Sequence, residues 1–523
     1  MKHRLLLLVL LLWGAMGIAT AQNIVVKGTV KDSAGEPVIG ATVIEKGNSA
    51  NGISTGIDGD FSLTVPKGKT LQISFIGFVT QEVAATAGAP IEVTLQEDAV
   101  AADEVVVIGY TSVVRKDLTG AVGSVSGAAL AAVPVTSAAV ALQGKIAGVD
   151  ITSSERPGTL GKIRIRGERS ISASSSPLYV VDGVPLSAGG IETLNPHDIE
   201  SIDVLKDASS TAIYGSRGAN GVILVTTKRG KAGKLSLNYS GSVTLEELVD
   251  KSPSMTASDY ITWRRWAYYN SNEELYPRGD QPNYEMDQNF FSGDDWALAN
   301  INKGWVNGKW DGSKVSDTDW AGMVTQTGIT HEHTISGSGG TENIQGSFSF
   351  GYLNNEGTQK GQEYERFNVS ATVDIKAKPW LKMGASINMA YTAQQYGVDR
   401  QAGTSSGPKD IYGLAKAIPR YAVPYDDAGN IIATPHTESR TYTVVDEWKK
   451  VEDERANYRM LGSFFAQADF GKIWKPLEGL SYKIAFGPDF RYNRNGIFRD
   501  KTSASLAGSN NYASWGSNLR FSW

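Results

Sequence analysis

Beyond Arg229-Gly230, apolar and polar residues alternate almost one by one. Leu235, Leu237, Tyr239, Val243 and Leu245 fall on one side, with Ser236, Asn238, Ser240, Ser242 and Thr244 on the other. Phe367, Val369, Ala371, Val373 and Ile375 alternate in the same way with Asn368, Ser370, Thr372, Asp374 and Lys376, and Leu381, Met383, Ala385, Ile387, Met389 and Tyr391 continue the pattern. A period of two is that of β-strands, whose successive side chains point to opposite faces. The pattern predicts about eight strands, at 234–246, 329–338, 343–353, 366–376, 380–392, 457–470, 480–492 and 515–523. The links at Gly339-Gly340, Ala377-Lys378-Pro379 and 472–479 are short; those at 247–328, 354–365, 393–456 and 493–514 are mostly long. A soluble sandwich shares the period, but alternation of short and long links is what a transmembrane barrel shows, with turns on one side and loops on the other.

Upstream the pattern changes. From Val25 to about Glu97, short β-branched runs such as Val25-Val26-Lys27-Gly28-Thr29-Val30 and Phe61-Ser62-Leu63-Thr64-Val65 are broken by turn formers, which predicts a small β-sandwich. Asp32, Asp58 and Asp60 could be imagined as calcium ligands, but Asp beside Gly in a turn usually only shapes it. After an acidic Ala-rich linker comes Asp103-Glu104-Val105-Val106-Val107-Ile108-Gly109-Tyr110, a run of four β-branched residues with no evident hairpin partner. Such a strand is suited to the edge of another sheet, where backbone groups supply the affinity. Farther on, Asp207 is placed to cap a short helix, Gly215, Gly218 and Gly221 to permit tight turns, and Val222–Thr227 to form a fully buried strand.

Composition removes several classes. Fifty basic and fifty-five acidic residues, with no long basic block, argue against a nucleic-acid partner. The absence of cysteine excludes disulfides, thiol catalysis and Cys-based zinc sites. Five scattered histidines and no triad or paired-carboxylate arrangement point to no catalytic residue, no metal and no cofactor, so the chain is read as not an enzyme. His331 and His333 share a strand face, but two ligands rarely make a metal site. Lys2, His3 and Arg4, an apolar run from Leu5 to about Trp13 and small residues ending Ala19-Thr20-Ala21 form a secretory signal, too short for a membrane anchor.

Five ordered runs carry a specific resemblance. They are Leu142–Val149, Ile163–Gly167, Pro177–Pro185, Leu194–Ala208 and Ala212–Ile223. Together they resemble the plug of a TonB-dependent outer-membrane receptor of the SusC-like kind. The upstream sandwich resembles the carboxypeptidase-regulatory-like domain of that family, and Asp103–Tyr110 resembles its TonB box. The resemblance implies a mainly β chain laid out as signal peptide 1–21, β-sandwich 22–97, linker and TonB box 98–110, α+β plug 111–230 and the first part of an antiparallel transmembrane β-barrel 231–523. It implies TonB with its inner-membrane energising complex, a SusD-like surface lipoprotein and outer-membrane lipids as partners, and the outer membrane of a Bacteroidetes-like Gram-negative cell as the location. The implied activity is energised import of an oligosaccharide or, next, an oligopeptide. A surface adhesin on the same architecture and a siderophore or cobalamin receptor are the alternatives.

By the same resemblance, Asp103, Glu104, Val105, Val106, Val107, Ile108, Gly109 and Tyr110 are the TonB-binding residues. Arg164, Arg166, Gly167, Asp182, Gly183, Glu200, Asp203, Tyr214, Gly215 and Arg217 are structural or gating plug residues. In a polar lumen, the charged members are expected to pair with the barrel wall. The aromatics of the first long link, among them Trp263, Trp266, Tyr268, Tyr276, Trp305 and Trp310, either contact ligand or pack the loop's own core. Arg278-Gly279-Asp280 is an adhesion-like tripeptide that occurs often by chance.

An eight-stranded barrel is filled by its own side chains. A plug of roughly 118 residues has a radius of gyration of about 13 Å, so it cannot fit inside. Plugged transporters use about 22 strands, and the expectation is therefore an incomplete, open and curved half-barrel.

Overall fold

The computed structural model describes residues 23–96 apart from 33–34, 39, 76–77, 87 and 89; residues 105–108 and 111–114; and residues 122–523 apart from 134, 153, 155, 160, 171, 173, 188, 294, 400–409, 437–441 and 507–509. The signal segment, the linker, and Asp103, Glu104, Gly109 and Tyr110 lie outside the described residues. The chain falls into two compact units, one up to residue 119 and one from residue 120.

The first unit begins with seven short strands, β1 (Asn23–Lys31), β2 (Thr42–Glu45), β3 (Asn48–Ser54), β4 (Asp60–Pro66), β5 (Thr70–Ser74), β6 (Gln81–Ala84) and β7 (Ile91–Thr94). They form sheets ordered β4-β1-β7 and β3-β2-β5-β6. Alternate residues of β1 and β4 point inward, so Val26, Val30, Phe61, Leu63 and Val65 meet Val43, Leu71 and Ile73 in one core. Asp32 shapes a turn, its carboxylate accepting the Glu36 N–H at 2.9 Å, and Gly59 supplies φ 72° between Asp58 and Asp60. Among the described residues no cluster of three metal-ligating side chains occurs.

The strand β8 (Val105–Ile108) does have a neighbour, contrary to the sequence reading. It pairs antiparallel with β9 (Thr111–Val114), Val106 opposite Val113. The two form a sheet of their own, so one edge of β8 stays open among the described residues.

The plug comprises β10 (Val122–Ser126), β11 (Val149–Ile151), β12 (Ile163–Ile165), β13 (Leu178–Val181), β14 (Val184–Pro185), β15 (Ile199–Leu205) and β16 (Val222–Thr227), with short helices between. Its main sheet runs β10-β15-β16-β13-β14. The continuous apolar run places β16 at the centre, antiparallel to β15 and parallel to β13, with Val222 to Val225 all buried. Ile199, Ile202 and Val204 complete a core with Leu130, Leu142 and Ile191. Asp207 occupies the N-cap of the helix Ala208–Thr211 but makes no side-chain cap bond; its carboxylate is held instead by Arg166 at 2.6 Å.

The second half of the unit is a wall made of one large antiparallel sheet. Its strands are β17 (Gly233–Glu246), then, after β18 (Trp305–Val306) and β19 (Lys309–Trp310) in a loop, β20 (Gly328–Gly340), β21 (Ile344–Glu356), β22 (Glu363–Lys378), β23 (Leu381–Gln395), β24 (Val451–Asp469), β25 (Ser481–Phe486), β26 (Asp489–Arg499) and β27 (Tyr512–Ser522). The order is β17-β20-β21-β22-β23-β24-β26-β27, antiparallel throughout, with β25 also on β24. The wall does not close on itself, since β17 and β27 are its two edges. The strand expected at 480–492 is interrupted at Gly487-Pro488. The register is unbroken, Phe464 facing Phe486 and Leu461 facing Asp489, so β25 and β26 are one strand whose ladder loses the donor that proline lacks. Link length is less regular than expected: 357–362 on the loop side is shorter than 470–480 on the turn side. No described helix is long and apolar enough to cross a membrane, which leaves strands untouched.

The described residues of the links 247–327 and 396–450 pack together in shared cores at the loop end. Helices Ala257–Ser271, Tyr284–Phe290 and Asp295–Asn302 bury Ile261, Phe290 and Ile301 against Tyr421. Most of the loop aromatics serve this core. Tyr268 stacks on Phe290 at 4.0 Å, Trp305 meets Trp310 at 5.6 Å, and the buried Arg265–Asp287 pair lies against Trp310. Arg278 is tied to Asp280 and rests on Trp266, so the tripeptide is internally paired.

Candidate functional site: the seam between plug and wall

The two faces of the wall invert the usual arrangement of polarity. On the face away from the plug, Leu235, Leu237, Phe350, Phe367, Val369, Met389 and Phe464 are exposed. On the plug face, Glu332, Thr334, Ser349, Arg366, Asn368, Ser386, Asn388, Arg459 and Asp489 are buried. A soluble sheet with apolar residues out and polar residues in would be a poor design; a sheet with lipid on one side and a polar lumen on the other requires it.

Register adds a second mark. His333, Tyr352, Phe367, Tyr391, Tyr458 and Tyr492 lie directly opposite one another on six successive strands, all on the apolar face. Below this aromatic row, the residues from Phe367 to Ile375 extend roughly 26 Å along β22 at about 3.3 Å per residue. With a tilt of about 40° that is a height of roughly 20 Å, near the about 25 Å apolar band of outer-membrane barrels with their aromatic girdles.

The seam is a set of polar clasps. Arg366, 1% exposed, donates to the Thr136 carbonyl of the plug at 2.5 Å and pairs with Glu332 at 3.0 Å. Asn368 donates to the Thr193 carbonyl at 2.6 Å, and Asn195 donates to Thr334 at 3.1 Å. Arg459 grips Asp489 through two bonds at 3.1 and 3.0 Å and donates to the plug's Gly190 carbonyl at 3.2 Å; Ser187 of the plug donates to the same Asp489. Near the loops, Arg156 of the plug reaches the Tyr396 carbonyl at 3.0 Å, and its guanidinium lies on the Tyr396 ring. At the turn end, Arg229 pairs with Asp374 at 3.0 Å. Two close approaches need glycine. A Cβ on Gly487 would stand 2.4 Å from Val184 of the plug, and one on Gly158 would strike the Tyr364 ring.

Most of the charged plug residues singled out by sequence are placed elsewhere than expected. Arg164 pairs with Glu168, Arg166 with Asp207, Asp203 accepts from Ser124 and Ser201, and Arg217 donates to the Leu186 carbonyl, all within the plug. Glu200 is exposed. Arg166, Gly167, Asp182, Gly183 and Gly215 all have positive φ, so their local role is to turn the chain. Asp182 does reach the wall: it holds Thr227 within the plug and accepts from Ser386 of the wall at 3.1 Å. The clasping residues Arg156, Asn195, Asp198, Arg366, Arg459 and Asp489 were missed. For the wall members a signal existed, since Arg366, Arg459 and Asp489 sit at inward positions of the two-residue alternation.

Asp198 keeps some exposed surface, yet its carboxyl is ringed by protein at the seam. Burial pushes its pKa above the ordinary carboxylate value, against the Ser349 hydroxyl that donates to it and the nearby Arg366, Lys228 and His197. A folded pKa raised above the unfolded one stabilises fully below the unfolded value of about 3.9 and loses that contribution as pH rises through the folded pKa. Asp198→Asn should therefore flatten this part of the pH dependence and leave the plug held at least as firmly at pH 8. Protease resistance of the plug across pH checks it; a variant with an unchanged profile would exclude Asp198 as the group.

A mixed plug clasped to the lumen face of an antiparallel wall, with lipid-type residues and an aromatic row outside, defines the class of plugged outer-membrane β-barrel receptors. Residues 114–222 match the TonB-dependent Receptor Plug Domain family, and residues 26–107 match the CarboxypepD_reg-like domain. The chain is 32% identical over 521 residues to the TonB-dependent receptor SusC of Bacteroides thetaiotaomicron, covering 95% of this chain and 47% of that protein. It is 34% identical over 521 residues to a TonB-dependent receptor of Formosa agariphila, covering 96% and 45%. The RagAB peptide importer in its open-open state superposes with a TM-score of 0.60 at 26% identity, over 80% of this chain and 46% of that one. The chain belongs to the SusC-like TonB-dependent receptors. It spans about half the length of the curated relatives it matches, and those relatives are receptors rather than enzymes.

Proposed function

We propose that the protein imports an oligosaccharide or oligopeptide across the outer membrane, with the plug as gate, TonB as the source of work and a SusD-like lipoprotein over the loop domain. The observation that carries this reading is the chemistry of the seam. The plug keeps its hydrophobic core almost wholly to itself, with Leu461 the wall residue that joins it, and meets the wall through side-chain hydrogen bonds and ion pairs. Water can replace such bonds one by one at a net cost of about 0.5–1.5 kcal/mol each, so the plug can move without exposing an apolar core. A docking strand lies directly upstream of it in the chain. The exposed Trp263, Tyr284 and Trp296 of the loop domain offer a surface for the lipoprotein.

In cells carrying the full-length receptor, uptake of labelled nutrient should fall to background when the proton gradient is collapsed or TonB is removed, while binding at the cell surface persists. A surface adhesin built on the same architecture would show binding alone, unaffected by either treatment.

A further inference from the structure

On the face of the wall away from the plug, at its turn end, a groove of about 400 Å³ runs across β22 to β25. That is within the range of about 300–1,000 Å³ typical of small-molecule sites. Register explains its shape. Val373, Ala385, Phe464 and Phe486 are directly opposite one another on four neighbouring strands, and Ile375, Met383, Ala466 and Ile484 form the next row toward the turns. The small residue moves from β23 in one row to β24 in the next, so an oblique floor of Ala385 and Ala466 lies between taller side chains. Phe464 and Phe486 stack at 6.3 Å on one flank, and Val373 and Met383 stand exposed on the other. Both floor strands, β23 and β24, are paired on each side.

Toward the turns the chain becomes basic. The next row is Leu381, Ala468 and Tyr482, and an irregularity at the end of β22 sets Lys378 opposite Leu381, in that row and so on the same face. Ala468 continues the line of small residues from Ala466 to the rim. Within 374–382 and 469–483, Lys376, Lys378, Lys382, Lys472, Lys475 and Lys483 face only three carboxylates, Asp374, Asp469 and Glu478. Two of the three are taken up by Arg229 and Lys472. Lys378 is exposed and has no ion partner among the described residues. Tyr482 in this row and Trp474 in the adjoining turn are exposed, and these are the side chains that settle at a membrane–water boundary.

The groove is continuous with the apolar face on which the aromatic row lies, so its occupant is drawn from what covers that face, which is lipid. A flat apolar face takes any hydrocarbon chain equally. A trough that is apolar along its length and cationic at one rim fits a molecule with the same asymmetry, an acyl chain ending in an anionic headgroup. The basic rim is at the turn end, where Arg229 leads from the plug into the wall, and turns of such barrels face the periplasm. The matching molecule is therefore a phospholipid of the periplasmic leaflet.

We propose that this groove holds one anionic diacyl phospholipid, an acyl chain lying over Ala385 and Ala466 and the headgroup at the rim beside Lys378. The site is on the outer face, away from the plug, so it stands or falls apart from the import reading. In the test, purified full-length receptor in detergent is titrated with phosphatidylglycerol and, separately, with phosphatidylethanolamine of the same chains, and native mass spectrometry counts the lipids bound. The first phosphatidylglycerol should bind about fivefold or more tighter than the first phosphatidylethanolamine, the worth of one lysine beside an anionic headgroup. Lys378→Gln should erase that preference. Ala466→Leu, which fills the floor, should remove the tight first step for both lipids, whereas Ala371→Leu, exposed on the same face outside the groove, should keep it. A parent receptor whose first lipid binds no tighter than the later ones, or that takes both lipids equally, overturns the proposal. So does an Ala371→Leu variant that loses as much as Ala466→Leu, since that is the behaviour of an ordinary lipid annulus.

Discussion

Cells whose receptor lacks residues 103–110 should hold ligand at the surface as well as the parent and take up no more than cells without TonB. Strand addition draws its affinity from main-chain hydrogen bonds, so the sharper version of this experiment changes the backbone at one position. Val106→Pro removes a donor and should abolish uptake; Val106→Thr keeps both the donor and the β-branched stem and should transport normally. The pairing of β8 with β9 adds a control. Val113 lies opposite Val106, and Val113→Pro would break that hairpin without altering the docking run. A two-stranded hairpin is at best marginally stable by itself, and β8 keeps an open edge, so Val113→Pro should cost little uptake. If Val106→Pro transports normally, β8 is not the docking strand; if Val113→Pro alone abolishes uptake, the docking run is β9.

Strand existence and facing were legible because both follow from a period of two, and the alternation Phe367 to Ile375 needs nothing beyond its own residues to say which side is polar. The break at Gly487-Pro488 was written in the sequence too, but only register with β24 shows that the strand resumes in line. The seam was much less legible. Arg459 meets Gly190 and Arg366 meets Thr136 across more than two hundred residues of chain, and no local pattern encodes which carbonyl a buried guanidinium will find. Backbone carbonyls take many of these bonds, and they leave no trace in residue identity. The familiar plug runs drew attention to Arg164, Arg166, Asp203 and Arg217, whose partners are inside the plug, because a recognisable motif marks how a domain folds more readily than where it docks. The aromatic row was missed for a related reason: His333, Tyr352, Phe367, Tyr391, Tyr458 and Tyr492 line up only once six registers are known.

Replacing Arg459 with methionine should loosen the plug more than any other single change in the seam. The Arg459 and Asp489 side chains are only 4% and 2% exposed. Removing the cation strands a carboxylate in a dry seam and frees the Gly190 carbonyl, and breaking a buried pair this way costs about 3–5 kcal/mol. At about 1.4 kcal/mol per tenfold, the population with this part of the plug detached should rise a hundredfold or more. Two readouts follow in the full-length receptor in its own membrane: faster proteolysis within the plug, and entry of a glycopeptide antibiotic too large for ordinary porins. The double variant Arg459→Met, Asp489→Leu separates charge from shape. With no charge left to strand, it should recover most of the protease resistance, since apolar replacement of a buried pair is often neutral, although the Gly190 bond stays lost and the Ser187 bond to Asp489 is lost as well. A single variant that resists protease and antibiotic as the parent does would mean that this clasp does not hold the plug. A double variant as leaky as the single would place the hold in the Gly190 and Ser187 bonds rather than in the ion pair.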